Sequence, residues 1–183
     1  IGRAFVKKNH YGINGWKELY VQCEGKMNNI IKNLNEIVAD EINYLEKNWP
    51  KNLPSGIIHA DLFPDNVLFD KNKISGIIDF YFSCYDIFIY DLAISINAWC
   101  FDENNFDKDK FSSLIQGYQK KRELTKKEKG VINICLRGAS VRFLMTRIFD
   151  CLYKNKLNEK DPYDYLKRLN FHRSLKFFED YFE

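Results

Sequence analysis

The chain has 183 residues, 45% of them hydrophobic and 29% charged, with a formal net charge of +3. That is one domain's length, enough to bury roughly 70% of the unfolded surface, and the composition excludes a disordered or fibrous chain. No apolar run is long enough to span a membrane. The basic runs Lys7-Lys8, Lys120-Lys121-Arg122 and Lys126-Lys127 are short and interleaved with acids, which reads as a solvated face and not as a nucleic-acid footprint.

Five cysteines are scattered, the count is odd and no C-x-x-C occurs. This argues against a disulfide framework or a zinc site and for reduced thiols in the cytoplasm. The first ten residues lack the apolar core of a secretory signal. They also lack an initiator Met, which points to a truncated gene or an excised segment.

In chain order, Ile1–Phe5 is expected to be helical and Tyr11–Gly15 to be turn-rich. Lys7 follows Ala4-Phe5-Val6, a pattern near the V-A-I-K lysine of kinases, but no glycine-rich loop precedes it. It is read as a surface lysine on a helix. Apolar residues recur at spacings of three and four from Met27 to Trp49, which predicts one amphipathic helix closed by Pro50 and Pro54. Ile57–Phe80 then reads as strand, loop, strand, turn, strand, with Asp70-Lys71-Asn72-Lys73 as the solvated turn. The aromatic run Phe80–Tyr90 carries no turn signal. Asp91–Cys100 predicts a buried helix with Asp91 at or near its N-cap, and residues 102–109 a polar loop. Phe111, Leu114, Ile115 and Tyr118 mark a further helix. Thr125-Lys-Lys-Glu128 is a capping box that opens a long helix to about Tyr153. Asp161-Pro162 opens a last one, with Leu166, Leu169, Leu175 and Phe178 as its apolar residues. The fold class is α+β, predominantly α-helical, with one small β-hairpin.

That hairpin carries the chemistry. His59, Asp61 and Asn66 sit in the loop before it, and Asp79 leaves it thirteen residues after Asn66. In-line phosphoryl transfer needs a carboxylate to accept the hydroxyl proton and oxygen ligands for the magnesium that bridges the phosphates. His59, Asp61 and Asn66 match the spacing of the kinase catalytic loop H-R-D-x-x-x-x-N, and Asp79-Phe80 matches the magnesium-binding D-F after it. His59 is read as structural support, Asp65 as a turn residue, and Asp91 as a cap that also braces the loop. Ala60 stands where protein kinases often have Arg, and only eleven residues separate Asp79 from Asp91. That is too short for a peptide-docking activation segment, so the acceptor is expected to be a small molecule.

HADLFPDNVLF, GIIDF and the following DLA resemble the aminoglycoside and choline phosphotransferase family, the small-molecule branch of the protein-kinase-like fold. IDFYFSCYDIFIYDLAISINAWCF, CLRGASVRFLMTRIFD and KDPYDYLKRLNFHR resemble its homoserine kinase branch, and the resemblance covers essentially the whole chain. It implies Asp61 as catalytic base, Asn66 and Asp79 as Mg2+ ligands, ATP as phosphate donor and homoserine, on the route to threonine, as acceptor. The family's small N-terminal lobe, which grips ATP, is expected to be missing, leaving residues 1–183 as a single C-terminal lobe. A zwitterionic substrate calls for an acid at its ammonium and an Arg at its carboxylate. Asp86 is the candidate for the first. Arg147, on the face of the long helix shared by Leu136, Ser140 and Phe143, is the candidate for the second, or else it pairs with a nearby carboxylate. Arg137 borders that face and Arg142 is read as solvated. The alternatives are a kinase for another amino alcohol or an aminoglycoside, and a non-catalytic lobe lacking the elements that bind ATP. A metal hydrolase using His59 and Asp61 is a distant third.

Overall fold

The computed structural model describes residues 7–154 and 160–175. Its helices are α1 (Ile13–Cys23), α2 (Leu34–Asn48), α3 (Phe88–Trp99), α4 (Lys108–Gln119), α5 (Lys126–Lys154) and α6 (Pro162–Ser174). Its strands are β1 (Ser55–Ile58), β2 (Val67–Asp70), β3 (Lys73–Ile77), β4 (Cys84–Ile87), β5 (Phe101–Asp102) and β6 (Asn105–Phe106). They pair antiparallel as β1 with β4, β2 with β3 and β5 with β6. The described chain forms two compact units, one from residues 7–9 and 51–132 and the other from residues 10–50, 133–154 and 160–175.

The first unit holds every strand and is built on α3. Residues Ile89 to Asn97 of that helix are all buried except the half-exposed Asp91, and a helix buried nearly all round is a core helix. β4 runs straight into it, with Ile87 as N-cap. The strand pairs Ser55 with Ile87 and Ile58 with Cys84, and Tyr85 N–H donates to the Lys7 carbonyl (2.9 Å). Four expectations change here. The aromatic run after Asp79 contains β4, a strand flanked by no turn residue and so without the usual signal. α3 begins at Phe88, three residues before Asp91. The polar loop at 102–109 is the β5–β6 hairpin and the start of α4, and Lys7 is not helical. Across the mouth of α5, Thr125 N–H donates to Glu128 Oε2 (3.0 Å) and Glu128 N–H to Thr125 Oγ1 (3.2 Å), the reciprocal capping box.

The second unit is helical. The expected helix over 27–49 is interrupted: a 3-10 turn at Met27–Asn29 precedes α2, and Asn33 takes a left-handed conformation (φ 61°). Asn28 Oδ1 accepts from Asn35 N–H (2.9 Å), the side-chain competition with backbone that makes Asn a helix breaker. The apolar period passes over the break because Met27 and Leu34 are both buried. The turn expected over Tyr11–Gly15 gives way to α1 at Ile13, and a Cβ at Gly15 would lie 2.0 Å from the His10 carbonyl oxygen. That glycine permits close approach inside a helix and does not end one. Gly138 of α5 plays the same part under Trp49, whose ring a Cβ would meet at 2.3 Å.

α5 is covered on more than one side, so projecting its residues onto a solvated face misplaces Arg142. Its side chain is 2% exposed, with the guanidinium over the Tyr11 ring (5.3 Å) and the Phe143 ring (4.7 Å). Arg137 pairs with the buried Glu41 through two bonds (2.6 and 2.8 Å). The helical expectation for Ile1–Phe5 and the place of Phe178 lie outside the described residues.

His172 on α6 is fully buried, and burial together with the charges of Arg168 and Arg137 pushes its imidazole pKa down to about 3 from 6.5. The unfolded imidazole therefore takes up a proton as pH falls through 6.5 while the folded one stays neutral until about 3. In that window the unfolded state binds more protons, so stability is full above pH 6.5 and falls as the pH drops. Urea unfolding from pH 7 down to pH 4 is expected to show that decline, and His172→Gln to flatten it.

Candidate active site

The loop between β1 and β2 is shaped by its backbone. Ala60 is buried with φ 63°, a left-handed conformation that costs a non-glycine residue roughly 1–2 kcal/mol. Asp91, in the first turn of α3, holds it there. Its Oδ2 accepts from His59 N–H (3.1 Å) and its Oδ1 from Ala60 N–H (2.8 Å). The next bond is made by His59 itself. Asp61 N–H donates to His59 Nδ1 (3.3 Å), so the ring proton sits on Nε2, which donates to the Ile78 carbonyl (2.9 Å). The imidazole thus ties the residue before Asp79 to the residue that carries the Asp61 carboxylate.

Asn66 closes the loop from the other side. Its Nδ2 donates to the Asp61 carbonyl (2.8 Å) and to Asp61 Oδ2 (3.3 Å), and its own carbonyl accepts from Ile78 N–H (3.0 Å). With the amide nitrogen spent on Asp61, Oδ1 is the Asn66 atom turned away from it. Asp79 is exposed and left-handed (φ 59°), a region that Asp tolerates, and its Oδ1 accepts from Tyr81 N–H (3.3 Å). The Asn66 amide oxygen and the Asp79 carboxylate are both hard oxygen donors. They suit Mg2+, which takes its remaining positions from phosphates and water.

These bonds bring His59, Asp61, Asn66, Asp79 and Asp91 together. Asp86 is on β4, where Oδ2 accepts from Asn9 Nδ2 (2.7 Å) and Oδ1 from the next residue's N–H (2.7 Å). Arg147 belongs to the second unit, where it donates to the Asp161 carbonyl (2.7 Å) and to Asp164 (3.1 Å) and stacks on Tyr165 (4.6 Å). Supports that sequence reasoning passed over include Trp99 Nε1, donating to the Leu62 carbonyl (2.8 Å), and Ser83 Oγ, donating to the Ile58 carbonyl (2.7 Å). Lys7 Nζ donates to the Tyr81 carbonyl (2.6 Å), beside Asp79. Trp99 stood in view on the same helix as Asp91; the other two act through carbonyls that no spacing reveals.

The sequence profile of the phosphotransferase enzyme family matches residues 8–124. The chain belongs to that family. Homoserine kinase from Sinorhizobium fredii is 41% identical over 95% of this chain and 55% of its own length. Homoserine kinase from Xanthobacter autotrophicus is 42% identical over 97% of this chain and 57% of its own. The chain thus spans about half the length of the curated relatives it matches. A Plasmodium vivax ethanolamine kinase shares the fold, with a TM-score of 0.65 at 19% identity over 98% of this chain and 52% of that one. The small-molecule kinase-like fold expected from the motifs is therefore the observed one.

Replacing Asp91 by Ala leaves the His59 and Ala60 amides without their acceptor. The variant is expected to lose about 2–4 kcal/mol of stability, at the cost of a buried unsatisfied donor for each amide. Urea unfolding measures the loss, and amide exchange should accelerate first at His59 and Ala60.

Proposed function

We propose that the chain is the catalytic C-terminal lobe of a homoserine kinase, a cytoplasmic enzyme that transfers phosphate from ATP to the homoserine hydroxyl in threonine biosynthesis. The observation that carries the reading is the closed hydrogen-bond circuit through Asp61, Asn66, His59 and the Ile78 backbone next to Asp79. Homoserine kinases that align along nearly the whole chain support homoserine as the substrate.

Asp61 orients the hydroxyl and accepts its proton. Asn66 Nδ2 fixes the Asp61 carboxylate through Oδ2. His59 holds the Asp61 backbone and transfers no proton. Both of its nitrogens are engaged, and the tautomer is set by the bonds they make. Asn66 Oδ1 and the Asp79 carboxylate would hold Mg2+, which neutralises the phosphate charge during transfer. Asp86 offers negative charge to the substrate ammonium. The pairing of Arg147 with Asp164 favours a structural role for that arginine.

The deciding experiment fuses residues 1–183 behind the N-terminal part of the Sinorhizobium fredii homoserine kinase and compares phosphate transfer to homoserine, ethanolamine, choline and kanamycin. Homoserine is expected to be preferred; preference for any of the others overturns the substrate assignment. In that frame Asp61→Asn should lower kcat by roughly 10²–10⁴, the size of a lost general base, with near-normal turnover removing Asp61 from the role. Asp79→Ala should abolish Mg2+-dependent nucleotide binding in calorimetry, and an unchanged titration would count against Asp79 as a ligand.

A further inference from the structure

Helix α3 meets the loop between β1 and β2 on both sides of Asp61. Near its start, Asp91 accepts from His59 N–H (3.1 Å) and Ala60 N–H (2.8 Å). At its last residue, Trp99 donates from Nε1 to the Leu62 carbonyl (2.8 Å). The chain entering Asp61 and the chain leaving it are therefore hung from one helix. The backbone of Asp61 itself is held as well. Its N–H donates to His59 Nδ1 (3.3 Å), and its carbonyl accepts from Phe63 N–H (2.9 Å) and Asn66 Nδ2 (2.8 Å).

The span to be bridged accounts for a large side chain at position 99. Trp99 lies eight residues after Asp91, about 12 Å along a helix axis, while two residues of chain such as Ala60 to Leu62 cover at most about 7 Å. Long helical side chains lean toward the N-terminus of their helix, so the indole reaches back across the difference and carries a donor with it. Packing alone does not account for the ring. Trp99 is half-buried and lines two cavities of the first unit, of about 450 and 660 Å³. A ring bordered by open space on two sides takes its orientation from directional contacts. Here these include the bond to Leu62 and an edge-to-face approach to Phe69 (6.4 Å), on the strand that follows Asn66.

We propose that Trp99 is a positioning residue for phosphoryl transfer, its indole N–H fixing the aim of the Asp61 carboxylate by holding the next carbonyl along the chain. The inference rests on the reading of Asp61 as the base. Asp91 sets the chain before that residue and Trp99 the chain after it, and one helix keeps the two at a fixed separation. A general base must stand within hydrogen-bond reach of the proton it takes, and a misplacement of about 1 Å costs on the order of 10²-fold. An error of aim weakens the transition state and leaves ground-state binding alone, so it lowers kcat without raising KM. Leu62 is half-buried, so water can take up its carbonyl when the indole donor is lost, and the fold survives the change.

The test installs benzothienylalanine at position 99, which keeps the bicyclic shape and puts sulfur in place of the N–H, and makes Trp99→Phe beside it. In the 183-residue chain, ¹³C NMR reads the bond directly. The Leu62 carbonyl resonance is expected to move in the benzothienyl variant, while the Trp16 indole, bonded to the Tyr11 carbonyl, stays in place as the control. In the fusion with the N-terminal part of the Sinorhizobium fredii kinase, both variants should lower kcat by about tenfold or more, with KM for homoserine within about twofold of the parent. An unmoved Leu62 carbonyl, a normal kcat in the benzothienyl variant, or a change confined to KM overturns the inference and leaves Trp99 a packing residue, with the proposed function intact. A parent fusion that phosphorylates no acceptor overturns the proposed function and this inference with it.

Discussion

Everything in the loop between β1 and β2 depends on one carboxylate spanning two consecutive backbone amides. Asp91 accepts from His59 and Ala60, and the magnitudes say why it must. A left-handed Ala60 costs roughly 1–2 kcal/mol. Hydrogen bonds to a charged group contribute roughly 1.5–3 kcal/mol each, so two of them outweigh the strain with a margin left. The loop can therefore keep a backbone shape that its own sequence disfavours. It keeps it only while α3 stands behind it.

From the half-exposed Asp91 the order passes through two buried side chains to more exposed ones. His59 and Asn66 are both 8% exposed; His59 makes one bond to the Asp61 residue and Asn66 two, and each ties the loop to the strand end at Ile78. Asp61 is half-exposed and Asp79 exposed. The groups proposed to meet substrate and metal are thus the outermost, and the groups that aim them are inside. This gradient is what a reaction on a charged, hydrated ligand requires. A buried base would resist ionisation, and an exposed support would lose its geometry to water.

The sequence was most legible where chemistry demands particular atoms at a particular separation. The residues from His59 to Asp91 that meet in the loop could be picked out because an imidazole, an amide and carboxylates recur at the spacing that one loop and one hairpin impose. The capping box at Thr125 was legible for the same reason. Elements defined by packing were less so. β4 is a strand because β1 and residue Lys7 flank it, α1 contains a glycine because His10 lies against it, and Arg142 is inside because aromatic rings cover it. β1 and Lys7 lie far in sequence from β4, and Tyr11 far from Arg142. A periodicity counted along one segment could not see them, nor could it see Asn33 breaking an unbroken apolar pattern.

The burial of α3 has a consequence for how the protein ages and responds to stress. Amide groups on a helix buried nearly all round open only when the surrounding unit opens as a whole. The loop hung from Asp91 then has no private route to disorder. Partial melting of peripheral segments such as the two-residue strands β5 and β6 leaves the loop's anchor intact. Loss of the anchor, when it comes, is loss of the unit. A population of such molecules contains intact and collapsed sites, with few that are half-formed.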